Sequence, residues 1–142
     1  ERARAAAKGY ADPIHASLSD THACYDAVVA AAVDALPHTS VMVASHNEAS
    51  VMAVARRMAE LGVAPGQSGV YFGQLLGMCD HVSFTLGRGG YNVYKYLPYG
   101  PVMEVVPYLV RRLEENSSMM GGVPKELRLI QGELRRRAGL GR

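Results

Sequence analysis

The sequence predicts an α/β protein built on a small parallel sheet, and three observations carry that prediction. Short apolar runs alternate with segments of helical periodicity in the order strand, helix, strand, helix, strand, which implies parallel strands with right-handed crossovers. The first of these runs, Ser40 to Ser45 (SVMVAS), is mostly apolar, as expected for a strand buried on both faces. The helix after it is bounded by a capping residue, Asn47, and by a stop residue, Gly62.

The elements follow in chain order. Glu1 to Lys8 (ERARAAAK) reads as the middle of a helix with no initiator Met and no apolar signal core before it, so a cut end is expected there. Tyr10 to Ser19, with Pro13 inside it, reads as a connector. Asp20 or Thr21 can cap the next helix, which carries Cys24, Val28, Val29, Ala32 and Leu36 on one side and closes at Pro37. After the first strand a helix runs from Glu48 to Leu61, where Gly62 suits a left-handed end.

Gly69 to Leu75 (GVYFGQL) gives the second strand, a short helix runs through Cys79 to Leu86, and Asn92 to Leu97 (NVYKYL) gives the third strand. Gly87 to Gly90 precedes a strand instead of following one, so it is a turn and not a dinucleotide fingerprint. Pro101 suits the first position of a further helix, with Glu104 favouring its positive start. A last helix, Pro124 to Ala138, places Leu127, Leu134 and Ala138 on one side with Ile130 near them, and is expected to pack on the outside. Three strands cannot close a barrel and leave two unpaired edges, so the sheet wants strands from elsewhere.

Composition narrows the function classes. With 142 residues, 49% of them hydrophobic and 20% charged, the chain is globular in type and long enough to bury a core. A formal charge of +2 is too small to argue for nucleic acid, and Arg135, Arg136 and Arg137 read as a solvated helix end. Cys24 and Cys79 have no metal-ligand or disulfide-framework spacing. Cys79, Asp80 and His81 are adjacent, but not at a zinc-site spacing. The uncharged stretch Val63 to Cys79 holds Pro65, Gly66 and three further glycines, and reads as turn and strand. No internal repeat or low-complexity tract is visible.

Tyr108, Arg111, Arg112 and Glu115 recur at i, i+3, i+4, i+7, along one side of the helix after Pro101. Two guanidiniums offer forked donors for a carboxylate, with an aromatic wall between them. The alternative is a solvated ion network with Glu114 and Glu115, worth about 0 to 1 kcal/mol per pair. Ligands in parallel α/β folds gather at the carboxyl ends of strands. Ser45, His46 and Asn47 follow the first strand, Leu75 to Met78 the second, and Tyr96, Pro98 and Tyr99 the third. His46 alone could be a strand-end histidine tied to backbone; beside the arginine stripe, a site for an anionic small molecule is the favoured reading.

These motifs, Ser45-His46-Asn47, Tyr71 to Met78 (YFGQLLGM), Tyr94 to Gly100 (YKYLPYG) and Tyr108 to Asn116 with its Tyr-x-x-Arg-Arg-x-x-Glu pattern, closely resemble the carboxyl-terminal part of the flavoprotein proline dehydrogenases in their animal mitochondrial form. The match covers essentially the whole chain. It implies a partial (βα)8 TIM-like barrel: strands six to eight with their helices, the eighth helix lying over the barrel's carboxyl end. It also implies FAD as cofactor, L-proline oxidised to pyrroline-5-carboxylate, a membrane quinone as acceptor, and a mitochondrial location with peripheral membrane association.

Carried over by position, the resemblance implies that Arg111 and Arg112 grip the proline carboxylate while Tyr108, Tyr96 and Leu75 wall the ring. Ser45, His46 and Asn47 would contact FAD, Glu115 would support the arginine pair, and Ser118 would approach the cofactor. Relatives acting on hydroxyproline tend to carry a small residue at the position of Tyr96, so the resemblance implies proline as the preferred substrate. Strands one to five, with a Lys that helps hold substrate and an Arg near the flavin, would be supplied by an upstream segment as partner. The alternatives are hydroxyproline dehydrogenase, or a non-catalytic α/β module that binds a carboxylate metabolite or a partner chain.

Overall fold

The computed structural model describes residues 1–67, 69–117 and 123–139. In chain order the elements are α1 (Arg2–Lys8), α2 (Leu18–Asp34), β1 (Val41–Ala44), α3 (Glu48–Glu60), β2 (Val70–Leu75), α4 (Asp80–Arg88), β3 (Val93–Tyr96), α5 (Val102–Ser117) and α6 (Val123–Arg137). The mixed α/β class and the parallel sheet match expectation. The sheet order is β1-β2-β3, with both pairings parallel. Strand order therefore follows chain order, which is single winding and not the reversal of a doubly wound sheet.

The register divides the strand side chains into two faces. Val41 and Val43 of β1, Val70, Phe72 and Gln74 of β2, and Val93 and Lys95 of β3 share one face, because paired residues point the same way and neighbours alternate. Helices cover that face: Val29 and Val33 of α2, Val51, Val54 and Met58 of α3, and Leu86 of α4 join Val43, Val70 and Phe72 in the core. Phe72 is fully buried and meets Tyr91 edge to face at 5.6 Å.

Among the described residues the second face has no packed helix layer, and only α5 approaches it, where Tyr108 stands beside Tyr96. This face carries Met42, 55% exposed, and Tyr94, 53% exposed, with Tyr71 packed edge to face against Tyr94 at 5.9 Å. The expectation that the first strand is buried on both faces is thus corrected: β1 is covered on one face only among the described residues. An apolar run cannot tell which of its two faces finds a partner within the same chain.

Other boundaries also move. Ser17, not Asp20 or Thr21, caps α2: its hydroxyl accepts from the Asp20 N–H at 3.1 Å while the Ser17 N–H donates to Asp20 Oδ2 at 3.1 Å, a reciprocal capping box. The buried stripe of α2 is Val29 and Val33 with Tyr25 and Leu36 beside them, whereas Cys24 and Val28 are exposed. Val29 and Leu36 thus lie on the expected side, while Tyr25 and Val33 take the places expected of Cys24 and Val28. Pro101 stands just before α5 and its carbonyl accepts from Glu104 and Val105. Pro107 lies inside α5. Gly87 and Arg88, expected in a turn, are the last residues of α4. The expected apolar side of α6 is exposed at Leu127, Ile130 and Leu134.

Candidate functional site

The strand ends converge, each with its own polar hardware. At the end of β1, the Asn47 N–H donates to Ser45 Oγ at 3.0 Å, and Asn47 Oδ1 accepts from the Ala49 N–H at 3.0 Å as the cap of α3. His46 reaches sideways to β2, where its Nε2 accepts from the Leu75 N–H at 3.0 Å. Phe72 and Leu76 donate to Asn92 and Tyr96 of the β3 side, so Leu75, at odd spacing, presents its N–H toward β1. The β1 ladder has ended by then at Ala44, paired with Gly73. The imidazole takes the place of the next carbonyl, which requires an unprotonated Nε2 and puts the ring proton on Nδ1.

At the end of β2, three acceptors surround Lys95 Nζ: the Leu75 carbonyl at 3.3 Å, the Met78 carbonyl at 2.6 Å and Asp80 Oδ1 at 2.8 Å. The three ammonium protons match three partners. Gln74, buried beside them, donates to the Ser45 carbonyl at 3.4 Å and accepts from Ser83 Oγ at 3.0 Å. His81 and Glu48, at 2.8 Å, join the starts of α4 and α3. Cys79 occupies a left-handed conformation with φ 50 ahead of α4, and its Sγ lies 3.5 Å from the His46 carbonyl.

At the end of β3, α5 approaches the open face near the strand ends. The Tyr96 and Tyr108 ring centres are 6.0 Å apart, and the Arg112 guanidinium carbon lies 5.2 Å from the Tyr108 ring centre, a cation–π distance. Leu75, Tyr96 and Tyr108 line two adjoining cavities. One, about 590 Å³, adds Arg112 and the apolar side chains of Leu97 and Leu109; the other, about 350 Å³, adds Ser45, His46 and Met42. One cation, two phenols and an otherwise apolar wall can hold a small ring bearing a carboxylate and exclude water from it.

Six expected residues therefore come together: Leu75, Tyr96, Tyr108 and Arg112 at one cavity, with Ser45 and His46 at the other. Arg111 is exposed and Asn47 faces α3 as its cap; neither lines these two cavities. Glu115 falls in α5, its side chain outside what is described, and Ser118 lies outside the described residues. Sequence reasoning missed Lys95 and Gln74. The signal was present: both sit at positions where the alternation of their strands demands an apolar residue.

The proline dehydrogenase family model matches residues 1–125. The chain belongs to the proline dehydrogenase family. It is 55% identical over 99% of its length to mitochondrial proline dehydrogenase 1 of Homo sapiens, covering 24% of that protein, and 54% identical over 91% to that of Bos taurus, covering 22%. It is also 50% identical over 96% to hydroxyproline dehydrogenase of Xenopus laevis, covering 30%. No solved structure matches it. This proline dehydrogenase family chain thus spans under a third of the length of these curated relatives, and within that stretch it carries the two adjoining cavities.

Proposed function

We propose that the chain, over residues 1–142, is the carboxyl-terminal portion of one (βα)8 barrel that binds FAD and oxidises L-proline to pyrroline-5-carboxylate. Strands one to five come from an upstream segment, and β1, β2 and β3 serve as strands six to eight. The 55% identity across nearly the whole chain to a mitochondrial proline dehydrogenase carries this reading. Single winding and an uncovered strand face support it, because a barrel needs both, and α5 near the strand ends agrees with the eighth-helix placement that the resemblance implies.

The β1 end suits a flavin by its chemistry. Met42 and Tyr96 give a flat ring system an apolar wall, and the Ser45 hydroxyl and His46 imidazole offer polar partners at its edge. Asn47 uses Oδ1 for capping, so its amide N–H2 is the donor it offers toward the cofactor. When bound, FAD supplies the two-electron acceptor. Arg112, with Arg111 beside it on the helix, holds the substrate carboxylate. Tyr96, Tyr108 and Leu75 fix the ring and keep water out. Glu115 supports the arginine pair and Ser118 approaches the cofactor. Electrons leave to a membrane quinone, and the protein works in mitochondria, peripherally attached to the inner membrane.

The test is flavin bleaching in the purified full-length protein. Anaerobic L-proline should bleach the flavin, and faster than hydroxyproline does. The 50% identity to hydroxyproline dehydrogenase makes that enzyme the second reading, which faster bleaching by hydroxyproline would favour. Carboxylate binding with no flavin in the protein would favour the non-catalytic module.

A further inference from the structure

We infer that Lys95 is a positioning residue for the substrate pocket: it holds the β2–α4 turn so that the Leu75 side chain stands against Tyr96 and Tyr108. The inference rests on the proposed substrate site, but its geometry is independent of it. Leu75 is gripped at both ends of its backbone, its N–H by His46 Nε2 at 3.0 Å and its carbonyl by Lys95 Nζ at 3.3 Å. The same ammonium holds the Met78 carbonyl at 2.6 Å and Asp80, the first residue of α4, at 2.8 Å. One side chain from β3 therefore ties together the end of β2, the turn and the start of the next helix.

The turn has weak support of its own. Gly77 has φ 78 and Cys79 φ 50, two positive values within three residues. Only Gly77 adopts such a conformation without steric cost. Within the turn itself, the Met78 N–H donates to the Leu75 carbonyl at 3.1 Å. Lys95 lies on the helix-covered face while Leu75 points to the opposite one, so the ammonium touches neither cavity. Its side chain is 23% exposed and all three of its protons have acceptors. That geometry suits a brace and leaves no proton directed at a ligand.

Displacing a substrate-contacting group by about 1 Å costs up to the order of 100-fold in rate. In the full-length protein, Lys95→Met should lower kcat/KM for proline by roughly 10- to 100-fold, mainly through KM. Peptide-level hydrogen exchange should accelerate across residues 75–79, with peptides from α2 and α3 unchanged. Asp80→Asn, which leaves the lysine in place, should move both readouts the same way by a smaller factor, and decides the matter if Lys95→Met does not fold. In a Leu75→Ala background the KM effect of Lys95→Met should largely disappear, since the brace acts through Leu75. Unchanged exchange at 75–79, or KM effects that simply multiply, would overturn the role. If wild-type protein is not bleached by proline the functional reading fails instead, and the exchange measurement still decides the brace.

Discussion

Arg111 and Arg112 are neighbours in sequence with different surroundings. Adjacent helical positions diverge by about 100°, so one guanidinium lies over Tyr108 at the cavity wall while the other is exposed on α5. Losing a charged donor to a buried carboxylate costs roughly 1.5 to 3 kcal/mol, or about 10- to 150-fold in affinity. Arg112→Ala should therefore raise the KM for proline, and the Kd of carboxylate-bearing proline mimics, by a factor in that range. Arg111→Ala should act in the same direction and no more strongly. Unchanged constants for Arg112→Ala would remove it from the site. On the proposed function Tyr96 sets a different property, the room beside the substrate ring; its phenol packs against Tyr108 at 6.0 Å. Tyr96→Ser opens that corner, and turnover of hydroxyproline relative to proline should rise; a constant ratio would count against Tyr96 as the selector.

At the scale of elements, α2 and α3 are joined by Arg57, which donates to Asp34 Oδ1 at 2.6 Å and to Glu60 Oε2 at 3.0 Å. The hydrogen bond from Arg57 holds the Asp34 carboxyl below the usual carboxylate range. A carboxylate whose folded-state pKa is depressed contributes stability above its unfolded value, and loses that contribution as pH falls through the folded one. The stability gap between wild type and Asp34→Asn should thus be open at neutral pH and close below about pH 4, with denaturant midpoints as the measure. A gap that persisted in acid would assign it to something other than this ion pair. Strand alternation, the Asn47 cap and the arginine helix were legible because each rests on local chemistry: periodicity, a side chain bonding its own backbone, or spacing along one helix. The facing of α2, the open side of β1 and the bracing by Lys95 were not, because each depends on what stands opposite in space. Val28 and Val29 are adjacent valines, and only packing decides that Val29 is buried and Val28 is not. Phe72 was assigned to a strand by its run, while its full burial beneath α2, α3 and α4 follows from sheet register. Phe72→Ala should cost about 3 to 5 kcal/mol, read as a lowered denaturant midpoint.

The whole molecule presents a sheet that is complete on one side only. β1 and β3 each have one paired neighbour among the described strands, which leaves a hydrogen-bonding edge at either end. Between those edges the second face offers Met42, Tyr71 and Tyr94 with no packed helix layer over them among the described residues, and Tyr96 at its carboxyl end meets only Tyr108 of α5. Two open parallel edges and an apolar face of this kind are the requirements of a closing barrel, where further strands would pair both edges and enclose the face. The same surfaces make the chain by itself prone to self-association, since exposed edges and contiguous apolar patches recruit whatever strand is nearest. Expressed alone, residues 1–142 should therefore elute as dimers or larger species and carry no flavin absorbance. Co-expressed with the upstream segment, they should copurify with it as one soluble species that is yellow and is bleached by proline. Size-exclusion chromatography with absorbance detection separates the outcomes. A monodisperse, flavin-bearing monomer from the chain alone would mean that these edges and this face need no partner, and the partial-barrel reading would then have to be abandoned.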